Sequence, residues 1–434
     1  MKNVVPPLSP GELAGRFADI HPPFSGQEAV VEANRCLFCY DAPCMAACPT
    51  HIDVPRFIKK ISSGNLRGSA MTILDSNILG LSCSRVCPVD VLCEGACVMH
   101  RYNKAPIEIG RLQRHAMDRF YASGARLQAG AEREGRVACI GAGPASLACA
   151  AELRRKGFGV TVFDAREMAG GLNTYGVAEY KFRPSDAQQE IAMIRSLGVE
   201  FRTGVQVGRD IGIDEIENGF NVIFLGVGLG ATQSLGIEGE NLPGVLDAVT
   251  FIANYKTAHS KVGRRVVVIG GGNTAIDAAC AARRLGADEV TIVYRRSEAD
   301  MPAFRFEVEH ARQDGVEFLW VHAPVAIRGN GAVESIEFHR SSDASTFEIP
   351  CDMVILAIGQ SKLLGELAAA KGIGLEKGRV VVNAHTGQTS NRRYYAGGDC
   401  VNGGREVVDA VADGARAGRA IAEQLAQTAA SERS

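Results

Sequence analysis

The cysteines of the N-terminal region constrain this chain more than any other feature. Eight of the thirteen cysteines in its 434 residues fall between Cys36 and Cys97. The spacing is Cys-x2-Cys-x4-Cys-x3-Cys-Pro from Cys36 to Pro49, then Cys-x3-Cys-Pro from Cys83, and finally Cys93-x3-Cys97. Thiolates at short spacings with proline beside them are typical of iron–sulfur sites. The pattern therefore predicts that this region wraps iron–sulfur clusters.

Disulfides and a zinc site are the two alternative interpretations of the cysteines. A disulfide framework is typical of short secreted chains, but here the cysteines precede a long α/β sequence. Zinc is the second alternative, yet Cys-x2-Cys occurs once and the other spacings do not repeat it as a second pair. Both remain less favoured alternatives to iron–sulfur.

Composition places the chain among ordinary globular proteins. Hydrophobic residues make up 46% and charged residues 22%, and the length suggests two to four domains. A net charge of −2 gives no reason to expect a nucleic-acid or anionic-membrane partner. The start of the sequence lacks the apolar stretch of a signal peptide, and no run is long enough to span a membrane. We expect a cytoplasmic protein.

The sequence between the cysteines predicts helices rather than strands. Apolar residues recur at three-to-four spacing from Pro55 to Lys60 and from Leu66 to Leu79, and Gly64 and Gly80 are the expected stops. A polar, glycine- and alanine-rich stretch from Ala122 to Gly135 reads as a linker.

A strand–turn–helix–strand pattern then occurs twice. Strand RVACI begins at Arg136 and leads into the turn GAGPAS, a helix and the strand VTVFD. The same order returns at Arg265 with RVVVI, the turn GGGNTA, a helix and EVTIVYRR. In such turns the first glycine bends tightly, the second admits a pyrophosphate, and the helix N-terminus attracts its charge. Two such units predict two dinucleotide sites.

The side chain at the end of the second strand distinguishes the two sites. Asp164 follows the first unit and is suited to ribose hydroxyls. At the second site this place holds Arg295 and Arg296, which suit a 2′-phosphate because guanidinium groups match phosphate oxygens. We therefore predict NADPH rather than NADH, with a solvated strand end as the alternative for the arginines. The residues expected at this site are Gly270, Gly272, Asn273, Thr274, Ala275, Arg295, Arg296 and Arg305.

The C-terminal part predicts that the first nucleotide is FAD. The sequence YYAGGDC precedes REVVDAVADGARAG, so a strand, a Gly-Asp turn and a helix follow one another. Asp399 can reach the ribityl or pyrophosphate region, and the helix start near Glu406 and Val407 would favour a reduced, anionic flavin ring. The alternative is a simple turn. The residues expected to bind FAD from these patterns are Gly141, Gly143, Pro144, Ala145, Asp164, Gly398, Asp399, Glu406 and Val407.

Taken together, these motifs resemble the family that includes the small subunit of bacterial glutamate synthase and the electron-input part of dihydropyrimidine dehydrogenase. The resemblance covers nearly the whole chain. It rests on RCLFCYDAPCMAACP, CSRVCPVDVLCEGAC, GAGPAS, AGGL, GGGNTAID and AGGD. It implies two [4Fe–4S] clusters, and it adds Gly171 and Leu172 to the expected flavin contacts. Lys181 stands where the family has an arginine that contacts the flavin.

The resemblance also implies how the cluster ligands divide. Cys36, Cys39, Cys44 and Cys97 would hold one cluster, and Cys48, Cys87 and Cys93 would hold the other with one further ligand. Gln113, in IEIGRLQRHAMD, matches the glutamine that dihydropyrimidine dehydrogenase uses there, whereas glutamate synthase relatives tend to have glutamate. Cys83 is the competing ligand. The remaining cysteines are scattered without a Cys-x-x-Cys pair, so a dithiol mechanism is not expected.

The predicted fold is α/β, with an N-terminal α-helical iron–sulfur domain followed by two Rossmann-like domains, of which the NAD(P) domain is inserted in the FAD domain. The expected boundaries are 1–130 for the iron–sulfur domain, 131–250 and 371–434 for FAD, and 251–370 for NAD(P)H. No catalytic acid or base is expected, because a hydride passes from NADPH to FAD and single electrons leave through the clusters.

The resemblance further implies a partner subunit with FMN and ferredoxin-like clusters, which would reduce uracil or thymine to the 5,6-dihydro form. The alternatives are a glutamate synthase small subunit, a free-standing NADPH:ferredoxin-type oxidoreductase, and a non-enzymatic scaffold subunit with vestigial cofactor folds.

Overall fold

The computed structural model of the protein describes residues 4–6, 8–257, 261–340, 345–361 and 371–432. The chain divides into two compact units. The smaller unit comprises Met1–Ile20, Tyr175–Arg183 and Gly230–Ser361, and the larger unit comprises His21–Thr174, Pro184–Leu229 and Lys362–Ser434. Each is described by itself below.

The α-helices of the described residues are given in chain order. They are α1 (Pro10–Arg16), α2 (Gly26–Asn34), α3 (Pro43–Ala46), α4 (Val54–Ser62), α5 (Leu66–Ser76), α6 (Gly80–Val86), α7 (Ile109–Ala122), α8 (Pro144–Arg155), α9 (Leu172–Tyr175), α10 (Pro184–Ser196), α11 (Ile213–Gly219), α12 (Ala248–Lys256), α13 (Asn273–Arg284), α14 (Arg305–Gln313), α15 (Asp399–Asn402) and α16 (Val407–Glu432). Short 3₁₀ helices occur at Val89–Val91, Val98–Tyr102 and Glu298–Asp300.

The strands of the described residues follow in the same way. They are β1 (Arg136–Ile140), β2 (Gly159–Asp164), β3 (Glu200–Thr203), β4 (Val222–Leu225), β5 (Val245–Asp247), β6 (Arg265–Ile269), β7 (Glu289–Tyr294), β8 (Glu317–Trp320), β9 (His322–Arg328), β10 (Ser335–Arg340), β11 (Thr346–Pro350), β12 (Met353–Leu356), β13 (Leu375–Glu376), β14 (Arg379–Val380) and β15 (Tyr394–Ala396).

The larger unit contains a parallel sheet in the order β15-β4-β1-β2-β3. Its central strands are continuous apolar runs, as expected for strands covered on both faces. The strand order reverses at β1, which pairs with β2 on one side and β4 on the other. Ligands of such sheets bind at this reversal, beyond the carboxyl ends of the strands. The turn after β1 is therefore placed for a nucleotide.

The N-terminal part of the larger unit is helical, as predicted. Helix α4 begins at an Asp53 cap, whose carboxylate accepts the Arg56 N–H, and it buries Phe57, Ile58 and Ile61. The glycine stops were only half right. Gly64 follows α4 with a φ of +78°, but Gly80 opens α6 instead of ending the preceding helix, which stops at Ser76.

The smaller unit repeats the architecture with a parallel sheet in the order β5-β12-β6-β7-β8. Here the order reverses at β6, which is followed by the second glycine-rich turn. An antiparallel sheet, β11-β10-β9, adds a second layer that the sequence analysis did not anticipate. Both parallel sheets, with a helical region ahead of them, match the predicted α/β fold class.

The units differ from the predicted boundaries at three segments, the first of which is residues 230–250, predicted as part of the FAD domain but belonging to the smaller unit. Residues Met1–Ile20 belong to the smaller unit, where Phe17 packs against Tyr255 with ring centroids 5.3 Å apart and the Val5 N–H donates to the Val262 carbonyl. Tyr175–Arg183 also belongs there, although its sequence neighbours lie in the larger unit. These contacts are formed by residues distant in sequence, so local patterns did not reveal them. The predicted boundary at residue 370 lies outside the described residues.

Buried ionic contacts hold the segment Tyr175–Arg183 within the smaller unit. The Lys181 ammonium lies 2.6 Å from Asp277 Oδ1 and 2.5 Å from Glu307 Oε1, and all three side chains are buried. The Tyr180 hydroxyl donates to Asp277, and Lys256 donates to the Val177 and Phe182 carbonyls. Burial alone lowers the pKa of Lys181, but the two carboxylates outweigh it and raise that pKa.

None of the helices in the described ranges combines the length and apolar character that crossing a membrane requires.

We expect Lys181→Met to destabilise the protein by about 3–5 kcal/mol, because it leaves two buried carboxylates without their cation. Urea unfolding monitored by tyrosine and tryptophan fluorescence measures this. Lys156→Met is the control, since the exposed Lys156 ammonium lies 3.7 Å from Glu152 in a surface ion pair, and its loss should cost less than about 1 kcal/mol. Because the folded-state pKa of Lys181 exceeds its ordinary value of 10.5, the stabilisation is complete below pH 10.5 and is lost at higher pH. Equal effects of the two variants would contradict the expectation.

Candidate functional site

The turn between β1 and α8 is shaped to receive a phosphate. Gly141 has a φ of +90°, and a Cβ at this position would lie 2.4 Å from the Gly226 carbonyl oxygen. Only glycine fits there. Gly143 is the N-cap of α8, and a Cβ built on it meets nothing within 4 Å. The open space at Gly143, in front of the helix N-terminus, is where a pyrophosphate would approach the backbone.

Two neighbouring segments are anchored to this turn. Asp164 accepts the Ala142 N–H at 2.6 Å and the Arg166 N–H at 2.8 Å, so its carboxylate is fixed beside the turn. The Gly170 N–H donates to the Ala142 carbonyl at 2.8 Å, and a Cβ on Gly171 would lie 2.8 Å from the Gly143 Cα. The predicted FAD contacts at the turn, Asp164 and Gly171 therefore converge in the structure.

The C-terminal turn joins the same group. A Cβ on Gly398 would lie 3.1 Å from the Ala145 Cβ at the start of α8. Asp399 is partly buried beside it and accepts the Arg405 N–H at 3.3 Å. Burial raises the pKa of Asp399 above its usual range. Glu406 directly precedes α16, which begins at Val407. The donors and open space thus fit the phosphate and ribityl groups of FAD.

The second turn repeats this geometry in the smaller unit. Gly270 has a φ of +146°, and a Cβ there would lie 2.3 Å from the Ala357 carbonyl oxygen. Gly272 caps α13 and faces open space, as Gly143 does. Asn273 accepts the Phe304 N–H at 3.0 Å, which fixes the segment before α14 against the turn. Thr274 and Ala275 form the first turn of α13.

The arginines after β7 differ in their partners. Arg295 and Arg296 are exposed, and within the described ranges neither guanidinium forms an ion pair. Arg305 instead pairs with Glu309 at 3.0 Å. Arg295 and Arg296 are therefore available for a phosphate, and the part of Arg305 in this site stays a prediction, because its pair with Glu309 is an exposed one.

Lys181 does not stand free for a ligand. Its ammonium is held between Asp277 and Glu307 in the buried contacts described above. The resemblance predicts an arginine at this position, and the lysine found here forms the buried ion pairs instead. Its predicted flavin contact remains a prediction, and the structure gives the side chain a structural role.

The first cysteine set surrounds a cavity in the larger unit. Cys36, Cys39, Cys44 and Cys97 line it together with apolar side chains that include Val54 and Ile58. Burial and the neighbouring thiols Cys36 and Cys97 raise the pKa of Cys44 to about 12. Thiols packed this closely in apolar surroundings resist ionisation unless a cation binds them. This set fits one iron–sulfur cluster.

The second set is assembled from two stretches of sequence. The neighbouring Cys83 thiol, burial, and the nearby thiols of Cys93 and Cys48 together raise the pKa of Cys87 well above the usual range. Cys83 lies in α6, and Cys87 directly follows that helix. All thirteen cysteines are free thiols, so no disulfide framework is present.

Both candidates for the eighth ligand lie on or against α6. Cys83 contacts the Cys87 thiol, and Gln113 on α7 donates its Nε2 to the Gly80 carbonyl at 2.8 Å. An amide whose nitrogen is held by a carbonyl can offer only its oxygen to iron. Gln113 therefore stays the predicted ligand, and Cys83 stays its competitor.

One further group of metal-ligating side chains occurs in the smaller unit. Cys280, His310 and Asp314 have ligand atoms within 4.8 Å of one another. The Arg284 guanidinium donates to Asp314 at 2.7 Å and lies 2.9 Å from His310 Nε2. Because a cation already occupies this group, we assign no metal to it.

Comparison with known proteins agrees with this geometry. A protein-family model described as pyridine nucleotide-disulphide oxidoreductase matches residues 135–414. The chain belongs to this family. A second model, described as dihydropyrimidine dehydrogenase domain II, 4Fe-4S cluster, matches residues 13–125. The oxidoreductase therefore carries an iron–sulfur domain. This confirms the prediction that the N-terminal cysteines bind iron–sulfur clusters rather than zinc.

Curated relatives cover nearly all of this oxidoreductase. The glutamate synthase [NADPH] small chain of Halomonas elongata is 37% identical over 95% of this chain and 94% of its own. The corresponding chain of Escherichia coli is 36% identical, with 98% of both covered. The NAD-dependent dihydropyrimidine dehydrogenase subunit PreT of Escherichia coli is 33% identical over 94% of this chain and 97% of its own. The resemblance inferred from the motifs is confirmed.

Solved structures support the fold of the dinucleotide-binding part. Thioredoxin reductase of T. acidophilum superposes with a TM-score of 0.57 at 22% identity, covering 67% of this chain and 99% of its own. FprA of Mycobacterium tuberculosis gives 0.56 at 19% identity, covering 69% and 86%. At these identities the likeness shows the fold alone.

The sequence analysis missed several residues that shape the site. Gly226 faces Gly141 across the first turn, and the apolar run NVIFL followed by Gly226 could have indicated a strand ending there. Cys139 on β1 and Cys149 on α8, which have no Cys-x-x-Cys spacing, lie side by side and are both buried. Glu94 accepts the Gly110 N–H at 2.9 Å near the start of α7, and no local signal identified it.

We expect Gly143→Val and Gly272→Val to remove different cofactors while both proteins fold. Each residue has a negative φ and open space, so a side chain is tolerated, but it fills the place of a phosphate. Gly143→Val should lose bound FAD, and Gly272→Val should retain FAD and raise the KM for the nicotinamide at least about tenfold. Flavin absorbance and steady-state kinetics measure this. Normal FAD content in Gly143→Val would contradict the assignment.

The eighth ligand is tested by comparing Gln113→Ala with Cys83→Ala. We expect Gln113→Ala to lose or alter the EPR signal of one reduced cluster, whereas Cys83→Ala should keep both signals because it removes only a buried thiol. Anaerobic EPR and iron analysis provide the measurements. The reverse outcome would assign the ligand to Cys83.

Proposed function

We propose that this protein is the electron-input subunit of a larger enzyme, oxidising NADPH and passing the electrons to a partner subunit. NADPH supplies a hydride, and FAD with two [4Fe–4S] clusters supplies the conversion of that pair of electrons into single ones. The chain's own residues bind and orient these groups. Its family and its iron–sulfur domain agree with such a role.

One observation carries the proposal. Within the larger unit, two cysteine sets and a phosphate-binding turn with open space at Gly143 are built into one compact body. A flavin and clusters held in the same unit have a fixed separation, which is what transfer of single electrons between them requires.

A thiol-based reaction is not supported, despite the family's name. The cysteines outside the clusters are buried, and burial raises the pKa of Cys149, Cys351 and Cys400 above the usual range. The reactive form of cysteine is an accessible thiolate. The pair Cys139 and Cys149 is fully buried, so it offers no thiolate to a substrate.

For the partner's reaction we propose reduction of uracil or thymine on a subunit that carries FMN and ferredoxin-like clusters. Gln113 supports this choice, because the pyrimidine branch of the family uses glutamine at this position. The relative PreT is a subunit of an NAD-dependent dihydropyrimidine dehydrogenase by its name.

A second candidate is the small subunit of glutamate synthase. The relatives with that name are 36–37% identical, and their name specifies NADPH. The two exposed arginines after β7, Arg295 and Arg296, favour the same coenzyme. Coenzyme preference and Gln113 therefore support different partners.

We expect Arg295→Ala combined with Arg296→Ala to raise the KM for NADPH by about tenfold or more and to leave that for NADH within about twofold, because only NADPH carries the 2′-phosphate. Dye reduction at varied coenzyme concentration measures this. Arg264→Ala is the control, since this exposed arginine pairs with Asp288. An equal change for both coenzymes would contradict the phosphate role.

The partner is tested on the complex isolated anaerobically from the native host through a tag on this chain. NADPH oxidation is followed with uracil, and separately with glutamine plus 2-oxoglutarate. Uracil-dependent oxidation would support the pyrimidine proposal, and glutamine-dependent oxidation would support the second candidate. Absence of bound flavin and of NADPH-dependent dye reduction would overturn the proposed function itself.

A further inference from the structure

A buried carboxylate lies against the start of the helix that carries Cys83. Glu190, on α10, is 2% exposed. Its Oε1 accepts the Leu81 N–H at 2.9 Å and the Ser82 N–H at 3.0 Å, and its Oε2 accepts the Ser82 hydroxyl. Burial raises the pKa of Glu190 to about 7, against the opposite effect of these hydrogen bonds. Its position fixes the first turn of α6 to α10.

The same hydroxyl connects to the segment beside the FAD turn. The Asn173 amide donates from Nδ2 to the Ser82 Oγ at 2.8 Å, and Asn173 is also buried. Asn173 directly follows Gly171 and Leu172, which are predicted flavin contacts. Ser82 is therefore bonded to Glu190 on one side and to the flavin-side segment on the other.

Other charged groups around Glu190 are already paired. Arg85 on α6 lies 2.6 Å from Asp118 on α7 and 3.8 Å from Asp186 on α10. Tyr121 on α7 is buried near Glu190, and burial first and this carboxyl second raise the pKa of Tyr121. None of the members of this network is among the predicted cofactor ligands.

We propose that Glu190 is a positioning residue for electron transfer, which fixes helix α6, directly followed by the predicted cluster ligand Cys87, to the flavin-side segment through Ser82 and Asn173. This inference rests on the proposed function, since it requires FAD and the clusters to bind where their residues indicate. Helix α6 holds Cys83 and ends immediately before Cys87, so a shift of the helix moves the second cluster relative to the flavin. Small displacements of reacting groups cost rate steeply.

Glu190 also contributes charge. A buried carboxylate near a cluster disfavours the added electron, so replacing it with a neutral amide should raise the cluster's reduction potential. Glu190→Gln keeps the size and a carbonyl acceptor for the two N–H groups, and it removes the charge. Ser82→Ala keeps the charge and removes the link to Asn173.

The experiment uses the full chain with its cofactors bound. After rapid mixing with NADPH, flavin bleaching is followed by absorbance and cluster reduction by freeze-quench EPR. For Ser82→Ala and Asn173→Ala we expect normal FAD and iron contents, flavin reduction within about twofold of the wild type, and cluster reduction slowed at least about tenfold. For Glu190→Gln we expect an upward shift of one cluster's potential in a redox titration at pH 8.5.

Glu152→Gln on α8 is the matched control, because this carboxylate pairs with Lys156 and touches neither α6 nor Asn173 in its described contacts. It should leave both rates and the potentials unchanged. Should Glu190→Gln fail to fold, the two other variants decide. Unchanged cluster reduction in both, with normal cofactor content, would overturn this inference alone. A wild-type protein that binds neither FAD nor iron would overturn the proposed function, and this inference with it.

Discussion

Thiols packed against apolar side chains set the condition on which the N-terminal part of the larger unit depends. Cys36, Cys39, Cys44 and Cys97 line a cavity with valine and isoleucine neighbours, and burial raises the pKa of Cys36 and Cys44. A bound metal cluster removes that conflict, because its positive charge is shared by the thiolates. Hydrogen bonds from backbone N–H groups to carboxylates connect the surrounding helices. Glu32 accepts the Glu108 N–H, and Glu94 accepts the Gly110 N–H. Short, capped helices therefore position the loops whose cysteines are the predicted cluster ligands.

The nucleotide sites follow from a different constraint, the meeting of parallel strands at one edge. In each unit the strand order reverses at the strand before the glycine-rich turn. The glycine that caps the following helix, Gly143 in the larger unit and Gly272 in the smaller, faces open space. The first glycine is held against a carbonyl of a neighbouring strand's loop, at Gly226 in the larger unit and at Ala357 in the smaller. The backbone conformation of both turns is thus fixed by tertiary contacts as well as by the glycines themselves. The same strand–turn–helix–strand arrangement occurs in both units, and the side chains at the end of its second strand differ. Asp164 stands there in the larger unit, and Arg295 with Arg296 in the smaller.

The buried charges show how sequence departures are absorbed. Lys181 replaces the arginine expected from the family, and it lies between Asp277 and Glu307 rather than free in a pocket. A single buried ammonium with two carboxylates is stable only when its hydrogen bonds are well formed, and the Tyr180 hydroxyl completes them at Asp277. In the larger unit Glu190 plays a comparable part, bonded to two backbone amides and a hydroxyl. The Asp277–Glu307 pair in the smaller unit and Glu190 in the larger unit each connect segments that are far apart in the sequence.

Local sequence patterns determined much of this protein. The glycine turns and the strands that flank them depend on residues within a few positions, and they lie where the sequence predicts them. The spacing of the cysteines is local in the same sense. The division of the cysteines into two sets came from family resemblance, and the tertiary structure assembles Cys97 with Cys36 from stretches about sixty residues apart. What only the tertiary structure decided are contacts with no local signature: the antiparallel sheet β11-β10-β9, the membership of Tyr175–Arg183 in the smaller unit, the pairing of Cys139 with Cys149, and the bonds of Glu190 to α6. Burial creates these contacts, because a polar group removed from water takes whichever partner the packed chain brings near, whatever its distance in sequence.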